Sequence, residues 1–209
     1  MEGPPLKVIA ERLLSFKGRT VTTAIGSAEL EYETISGETV QDIFTVGKNL
    51  FIKFANKSLR IHFLMFGSYR INELRPELKP RLHLQFENDS LSFYNCPVAL
   101  IVNNELEMLY DREVDITSEK WNVRKVTELA SRMKDDYVCD VLLDQNIFAG
   151  VGNIIKNEAL YLAKVHPLSI IRKIPPEKMS EVIAKAREFS LLFYKVKLEN
   201  KELNSYLRI

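Results

Sequence analysis

The sequence predicts an α+β fold, in which a leading helix and an N-terminal β-sandwich are followed by an all-helical part. Between residues 19 and 102, short β-branched and aromatic runs alternate with Gly, Asn, Asp and Pro, a pattern typical of short strands. Beyond residue 120, apolar residues recur only at helical spacing. The acidic stretch between these regions predicts a boundary, with domains at residues 1–110 and 111–209.

The composition indicates a folded chain that needs no cofactor. With 209 residues, 46% of them hydrophobic, the chain can bury one large or two small cores. Its 29 basic and 28 acidic residues leave a net charge of +1, so binding to nucleic acid would require the basic residues to be clustered. Cys96 and Cys139 form no C-x-x-C pair, which predicts free thiols and no cysteine-based metal site. No apolar run approaches the roughly 20 residues of a membrane span, so we expect an unexported protein without membrane contact.

Helical spacing and strand patterns place the individual elements. The leading helix follows Pro5, which suits a first turn, and ends near Gly18. About seven strands are predicted, over residues 20–25, 39–46, 50–54, 59–64, 68–72, 82–86 and 91–94. Residues 103–119 are predicted to be a loop. Helices are predicted over residues 121–133, 137–143, 153–163 and 177–199.

The most specific segment runs from Asp144 to Leu160. Gly150 and Gly152 predict a tight turn after one helix, and Asn153 stands where it can cap the next. The bare backbone N–H groups at such a helix start bind phosphate. An ordinary capped pair of helices would fit the same spacing equally well.

This segment resembles the helix-two-turn-helix of the formamidopyrimidine-DNA glycosylase / endonuclease VIII family, and the match continues through Tyr161 to Pro167. The resemblance implies that Asn153 binds the phosphates flanking a lesion, with Gly152 and Lys156 beside it in the DNA-binding surface. It also implies that the partner is damaged double-stranded DNA. We accordingly expect a monomer that is cytoplasmic and associated with the nucleoid.

The amino terminus reads Met1-Glu2-Gly3-Pro4 and resembles the Pro-Glu-Gly-Pro with which family members begin. The resemblance implies that Glu2 is the catalytic acid and that Met1 replaces the proline nucleophile. An α-amino group has a pKa of about 7.7 to 8.0, against about 10.4 for lysine, so the Met1 amine can still attack a sugar carbon at neutral pH. The alternative is a surface glutamate on a frayed terminus.

A third match is Lys48, which follows Gly47 in a turn between two predicted strands. Taken alone, a Gly-Lys pair in a hairpin is a solvated turn. The resemblance implies that Lys48 is a catalytic-site lysine that contacts the phosphate or sugar of the lesion. A second cation there would also lower the pKa of the nearby terminal amine.

The fourth match covers Leu64, Met65 and Phe66, which resemble the residues that the family inserts into the duplex. An extruded base leaves a hole in the stack, and an apolar wedge that fills it offsets part of the unstacking cost. Met65 is the predicted wedge, with Leu64 and Phe66 beside it. The alternative is that all three belong to the hydrophobic core.

Two departures from the family pattern shape the functional hypothesis. Residues 95–100 lack the arginine and phenylalanine of a second insertion loop, which favours the endonuclease VIII branch and oxidised pyrimidines. The sequence given stops at Tyr206 to Ile209 without a zinc ribbon, which was either truncated or is lacking. The leading hypothesis is a bifunctional DNA glycosylase and AP lyase. The alternative is a non-catalytic, damage- or structure-specific DNA-binding protein that has lost the proline and the ribbon.

Overall fold

The structure, a computed structural model, describes residues 1–208, and Ile209, the last residue of the predicted helical domain, lies outside the described residues. The chain forms two compact units that are discontinuous in sequence. The first contains Met1 and residues 9–45 and 49–110. The second contains residues 2–8, 46–48 and 111–208. The predicted division into 1–110 and 111–209 stays a prediction, and two short N-terminal segments belong to the second unit.

The leading helix α1 spans Gly3–Leu13 and continues as a single 3₁₀ turn over Leu14–Phe16. Leu6 and Leu13 lie on one helical face and are fully buried. The predicted leading helix is therefore confirmed, and it begins two residues before Pro5.

Eight strands follow within residues 1–208, one more than the sequence predicts: β1 Thr23–Ile25, β2 Asp42–Val46, β3 Asn49–Lys53, β4 Lys57–Ile61, β5 Ser68–Ile71, β6 Leu82–Gln85, β7 Ser90–Tyr94 and β8 Val98–Val102. They form two four-stranded sheets, ordered β1-β6-β7-β5 and β2-β3-β4-β8. Strands β6 and β7 pair antiparallel and set Leu84 opposite Leu91 in one sheet, and strands β4 and β8 pair antiparallel and set Leu59 opposite Leu100 in the other. The predicted β-sandwich is confirmed.

The sequence-based assignment is wrong between residues 98 and 109. Val98–Val102 forms the edge strand β8, and Asn103–Leu109 forms a short helix α2 where a loop is predicted. Strand β8 was not predicted because Pro97 and the comparison with the insertion loop of the family indicated a loop. Val98–Val102 nevertheless consists only of apolar residues and is rich in residues that favour strands. Helix α2 gave little signal because only Leu106 on it is buried, so no apolar stripe marks it.

The second unit contains the remaining helices: α3 Val123–Arg132, α4 Val138–Val141, α5 Asn153–Ala163 and α6 Pro176–Leu198. Asn122 caps α3 by accepting a hydrogen bond from the backbone N–H of Lys125 at 3.2 Å. Helices α5 and α6 pack against each other around an apolar core that includes Ile155, Leu160 and Phe189. All four predicted helices are confirmed, and α5 has the predicted bounds.

No helix within residues 1–208 has both the length and the apolar character to cross a membrane.

Candidate functional site

The hairpin turn between β2 and β3 carries Lys48. Gly47 has φ +58°, whereas Lys48 is not among the residues with positive φ, which is the pattern of a type II′ turn with glycine first. The Gly47 N–H donates to Oδ2 of Asp115 at 2.9 Å. The turn is therefore fixed by a buried side chain as well as by its own two strands.

The turn that leads into α5 is held by Gln145. Its Nε2 donates to the carbonyl oxygens of Leu143 at 2.7 Å and Val151 at 3.1 Å. Its Oε1 accepts the N–H of Gly150 at 3.1 Å. One amide side chain thus closes the turn from both ends.

Three glycines, Gly3, Gly47 and Gly150, bring three distant backbone segments together, and we call this the glycine junction. The N–H of Gly3 donates to the carbonyl oxygen of Gly150 at 2.8 Å. A Cβ on Gly3 would lie 3.0 Å from the Cα of Gly150, and a Cβ on Gly47 would lie 3.1 Å from the Cβ of Ala149. The segments approach closely because no side chain stands between them.

Glu2 is seated on the first turn of α5. Its Oε1 accepts the N–H of Ile154 at 2.7 Å, and its Oε2 accepts the N–H of Ile155 at 3.3 Å. A carboxylate at a helix N-terminus is stabilised by free N–H groups and the positive end of the dipole. Gly152 is extended, yet a Cβ there would lie 2.5 Å from both Cγ and Oε1 of Glu2. A side chain at residue 152 would therefore displace Glu2 or shift the turn.

Two expectations about this helix start are wrong. Asn153 is the first residue of α5 and not its cap, which is Gly152. The N–H groups of Ile154 and Ile155, which we expected to be free for phosphate, are taken by Glu2. The Asn153 side chain is exposed, and its Oδ1 accepts a hydrogen bond from Nζ of Lys156 at 2.9 Å. The side chains of Asn153 and Lys156 remain exposed or half-buried at the helix start.

The electrostatics of Glu2 and Lys48 are coupled. Burial raises the pKa of Glu2, and the N–H groups of Ile154 and Ile155 together with the charge of Lys48 partly oppose that rise. Burial lowers the pKa of Lys48, and attraction to Glu2 partly opposes that fall. Both groups are pushed toward their neutral forms by desolvation. A carboxyl group with a raised pKa is suited to proton transfer near neutral pH.

The apolar loop, residues 62–67, belongs to the first unit. Phe63 is buried, and the N–H of Gly67 donates back to its carbonyl oxygen at 2.8 Å. Between them, Met65 is 85% exposed and Phe66 80% exposed. Leu64 has φ +49°, a strained conformation for a leucine. The alternative that Leu64, Met65 and Phe66 lie in the hydrophobic core is wrong.

The structure brings the predicted site residues together in two groups. In the second unit, Glu2 and Gly152 are in contact at the start of α5, and Lys48 acts on Glu2 through space. In the first unit, the Met1 nitrogen donates a hydrogen bond to the carbonyl oxygen of Leu64. No three His, Cys, Asp or Glu side chains of residues 1–208 converge so as to hold a metal ion.

Sequence reasoning missed two residues that shape the site, Asp115 and Gln145. Asp115 stands between Val114 and Ile116, and a lone acid inside a β-branched apolar run is a recognisable signal of a buried polar role. Gln145 lay inside the matched segment, but its sequence context gave no sign that it would close the turn.

The two units are a β-sandwich and a helical unit in which a tight turn leads into α5, with the Glu2 carboxylate at the start of that helix, and these features define the class of β-sandwich proteins with a helix-two-turn-helix unit. Two family models match the chain: the formamidopyrimidine-DNA glycosylase N-terminal domain over residues 2–97 and the formamidopyrimidine-DNA glycosylase H2TH domain over residues 113–201. The chain therefore belongs to the formamidopyrimidine-DNA glycosylase / endonuclease VIII family.

Curated relatives support the endonuclease VIII-like branch. Endonuclease 8-like 3 of Xenopus laevis is 32% identical over 209 residues, which covers 95% of this chain and 34% of the relative. Endonuclease 8-like 3 of Mus musculus is 36% identical over 166 residues, which covers 77% of this chain and 27% of the relative. The chain spans about a third of the length of these relatives.

Solved structures support the fold. The Lactococcus lactis Fpg in a complex with DNA containing an abasic site superposes with a TM-score of 0.85 at 20% identity, covering 100% of this chain and 87% of that chain. A viral DNA glycosylase superposes with a TM-score of 0.83 at 19% identity, covering 97% of this chain and 86% of that chain.

Proposed function

We propose that this chain is a base-excision DNA glycosylase with AP lyase activity that removes oxidised bases, preferentially pyrimidines, from duplex DNA. It acts as a monomer in the cytoplasm, on nucleoid DNA. The observation that carries the proposal is the seat of Glu2 on α5, with a pKa raised by burial, directly after the residue whose amine is the nucleophile. A chance surface glutamate would not require a glycine at residue 152 to make room for it.

The proposed reaction begins with attack of the unprotonated Met1 amine on C1′ of the damaged nucleotide. The bond from C1′ to the base breaks, and the leaving base takes the proton that the Met1 nitrogen loses after it bonds to C1′. Glu2 donates a proton to the oxygen of the opening sugar ring, which lets the C1′–nitrogen bond become a Schiff base. The Schiff base acidifies the C2′ proton, and loss of that proton expels the 3′ phosphate and cleaves the strand.

Lys48 supports this chemistry by charge. Its ammonium group neutralises a phosphate or sugar oxygen of the lesion nucleotide, and it opposes the rise in the pKa of Glu2 that burial causes. Burial lowers the pKa of Lys48, and attraction to Glu2 opposes that fall.

We assign the binding of DNA phosphates to side chains at the start of α5. Glu2 occupies the N–H groups of Ile154 and Ile155, so the exposed amide of Asn153 and the ammonium of Lys156 take the phosphates. Gly152 belongs to the same DNA-binding turn, where it makes room for Glu2. Met65, flanked by Leu64 and Phe66, fills the hole left by the extruded base, and its exposure fits that role.

A non-catalytic DNA-binding protein is the second candidate, favoured by one observation. Met1 stands where the family places a proline, and its flexible thioether side chain would crowd a site suited to a compact ring. In that case Glu2 would serve only to close the start of α5.

Borohydride trapping separates the two candidates. The protein is incubated with a duplex containing one abasic site and with borohydride, and the covalent adduct is digested and sequenced. An adduct at the Met1 nitrogen is the expected result. Tight binding without an adduct and without strand cleavage would favour the non-catalytic candidate, and an adduct at a lysine would reassign the nucleophile.

A further inference from the structure

Asp115 is a buried charge that the proposed reaction does not use. The residue is 2% exposed and lies in the second unit between Val114 and Ile116. Its Oδ1 accepts the N–H of Thr117 at 2.7 Å and the hydroxyl of Thr117 at 2.8 Å. Its Oδ2 accepts the N–H of Gly47 at 2.9 Å. Each carboxylate oxygen is therefore satisfied, one by a local residue and one by a residue far away in sequence.

A buried carboxylate is costly to desolvate, and hydrogen bonds and a nearby cation reduce that cost. The cation is Arg187 of α6. Burial lowers the pKa of Arg187, and attraction to Asp115 opposes that fall. Arg187 also donates to the carbonyl oxygens of Ile116 and, at 2.9 Å, Ser118, so it holds the chain on either side of Thr117.

Asp115 is also joined to the turn that precedes α5. Asp115 and Ala149 form a parallel bridge, in which Ile116 donates to Ala149 at 2.9 Å and Ala149 donates to Val114 at 2.9 Å. Ala149 directly precedes Gly150 of the glycine junction. The segment Val114 to Ile116 therefore fixes two turns to each other: the Asp115 side chain binds the turn that carries Lys48, and the backbone of its two neighbours binds the turn that leads to the seat of Glu2.

We propose that Asp115 is a positioning residue for Lys48. Its Oδ2 fixes the peptide before Gly47, and this holds the next residue, Lys48, where its charge acts on Glu2. That peptide enters the two-residue turn, so its orientation sets the path of the backbone that carries Lys48. A misplacement of about 1 Å is enough to cost on the order of 100-fold in rate. The inference rests on the proposed glycosylase function and adds a residue to its machinery.

The test is Asp115→Asn, which keeps the volume and replaces one acceptor oxygen with a donor. The readouts are the single-turnover rate of base excision, the Kd for a duplex with a tetrahydrofuran abasic-site analogue, and the Tm. We expect excision to fall about 10- to 100-fold while Kd changes less than about 3-fold. Asp111→Asn is the matched control, because Asp111 is an exposed acid of the same segment that pairs with Lys125 at 2.5 Å.

The Lys48→Ala background distinguishes positioning from a purely structural role. If Asp115 acts through Lys48, Asp115→Asn adds little further loss of excision once Lys48 is gone. Equal losses in both backgrounds would overturn the proposal. So would a parallel loss of Tm and DNA affinity without a specific loss of rate.

If Asp115→Asn does not fold, a second variant tests the same proposal. Thr117→Val removes one of the three donors and leaves the bond to Gly47. It is expected to give a smaller loss of excision that also disappears in the Lys48→Ala background. If the wild-type chain excises the base and Asp115→Asn and Thr117→Val excise it at the same rate, only the role of Asp115 is refuted. A wild-type chain that binds the duplex but excises nothing refutes the proposed function, and this inference with it.

Discussion

The seat of Glu2 and the apolar loop are held in opposite ways. Glu2 lies against Gly152 and accepts two backbone N–H groups, in a unit whose turns are fixed by buried hydrogen bonds. The apolar loop is closed by a backbone hydrogen bond from Gly67 to Phe63, and Met65 and Phe66 extend into solvent between them. The seat of Glu2 is held by several independent contacts, whereas the apolar loop is held mainly at its ends.

This difference matches what the two regions are proposed to do. A group that transfers a proton must be held within a fraction of an ångström, which needs a rigid surrounding shell. A wedge must enter a duplex whose shape varies with its sequence, and a loop with few contacts can adapt at low cost. Changes at the Glu2 seat should therefore affect rate, and changes in the loop should affect base extrusion.

The largest effect is expected from Glu2→Gln. Loss of a positioned acid typically costs about 100- to 10,000-fold, so excision should fall in that range with little change in the Kd for an abasic-analogue duplex. Single-turnover excision and fluorescence anisotropy measure the two quantities. Equal losses of rate and affinity would mean that Glu2 organises binding and not chemistry.

Gly152→Ala tests whether Glu2 needs the space beside it. The added Cβ would meet Cγ, Oε1 and Cδ of Glu2 at 2.5 to 2.6 Å, so either the side chain is displaced or the turn shifts. We expect a loss of about 1–3 kcal/mol in unfolding free energy and at least a tenfold lower rate, since overpacking and misplacement both contribute.

The control for Gly152→Ala is the same change in a Glu2→Ala background. The three nearest atoms to the new Cβ all belong to Glu2, so removing them should remove most of the stability cost. The double-mutant cycle measured by urea denaturation gives the coupling energy directly. A cost that persists in both backgrounds would place the conflict in the backbone of the turn.

Met65→Ala should weaken base extrusion without changing stability. Met65 is 85% exposed, so its truncation should alter the unfolding free energy by less than about 0.5 kcal/mol. Affinity for a lesion duplex should fall about tenfold, because the wedge offsets part of an unstacking cost of a few kcal/mol. Fluorescence of a base analogue beside the lesion reports the extrusion.

Met108→Ala is the matched control for Met65→Ala. Met108 is 79% exposed and lies on α2 of the same unit, outside the apolar loop. Truncation there should change neither affinity nor the fluorescence signal. A similar response from the two variants would show that general apolar surface, and not the loop, drives binding.

The smallest effect concerns pH and stability at Glu2. Burial raises its pKa in the folded chain, so the folded state binds more protons than the unfolded state between the ordinary value near 4.5 and the raised value. The stability contributed by protonated Glu2 is complete below that window and is lost as pH rises through it. Glu2→Gln cannot ionise, so its stability relative to wild type should grow from pH 4 to pH 8 in denaturant titrations. A gap that narrows instead would mean that the N–H groups of α5 outweigh burial.

Much of the fold follows from patterns visible in the sequence. Helix α5 begins at Asn153 as predicted, because the apolar residues recur at helical spacing after Gly152. Met65 and Phe66 are exposed, which only the resemblance to the family indicated, since apolar residues after a strand normally favour burial. Helix α2 was missed because its only buried residue is Leu106.

The geometry of the site was less predictable. The sequence does not state that Glu2 occupies the N–H groups of Ile154 and Ile155, since residues 152 positions apart meet only through tertiary structure. This contact overturned the assignment of those groups to phosphate. The contribution of Asp115 depends likewise on a hydrogen bond to Gly47, 68 positions away.

The glycine junction has a consequence for when the N-terminal segment can reach its folded position. Gly3, Gly47 and Gly150 touch only after the chain has closed two long loops, and contacts of high sequence separation slow folding. A nascent chain must extend past residue 155 before Glu2 can accept the N–H groups of Ile154 and Ile155. A fragment that ends before Gly150 would therefore lack both the glycine junction and the seat of Glu2, even though the sandwich strands had already been synthesised.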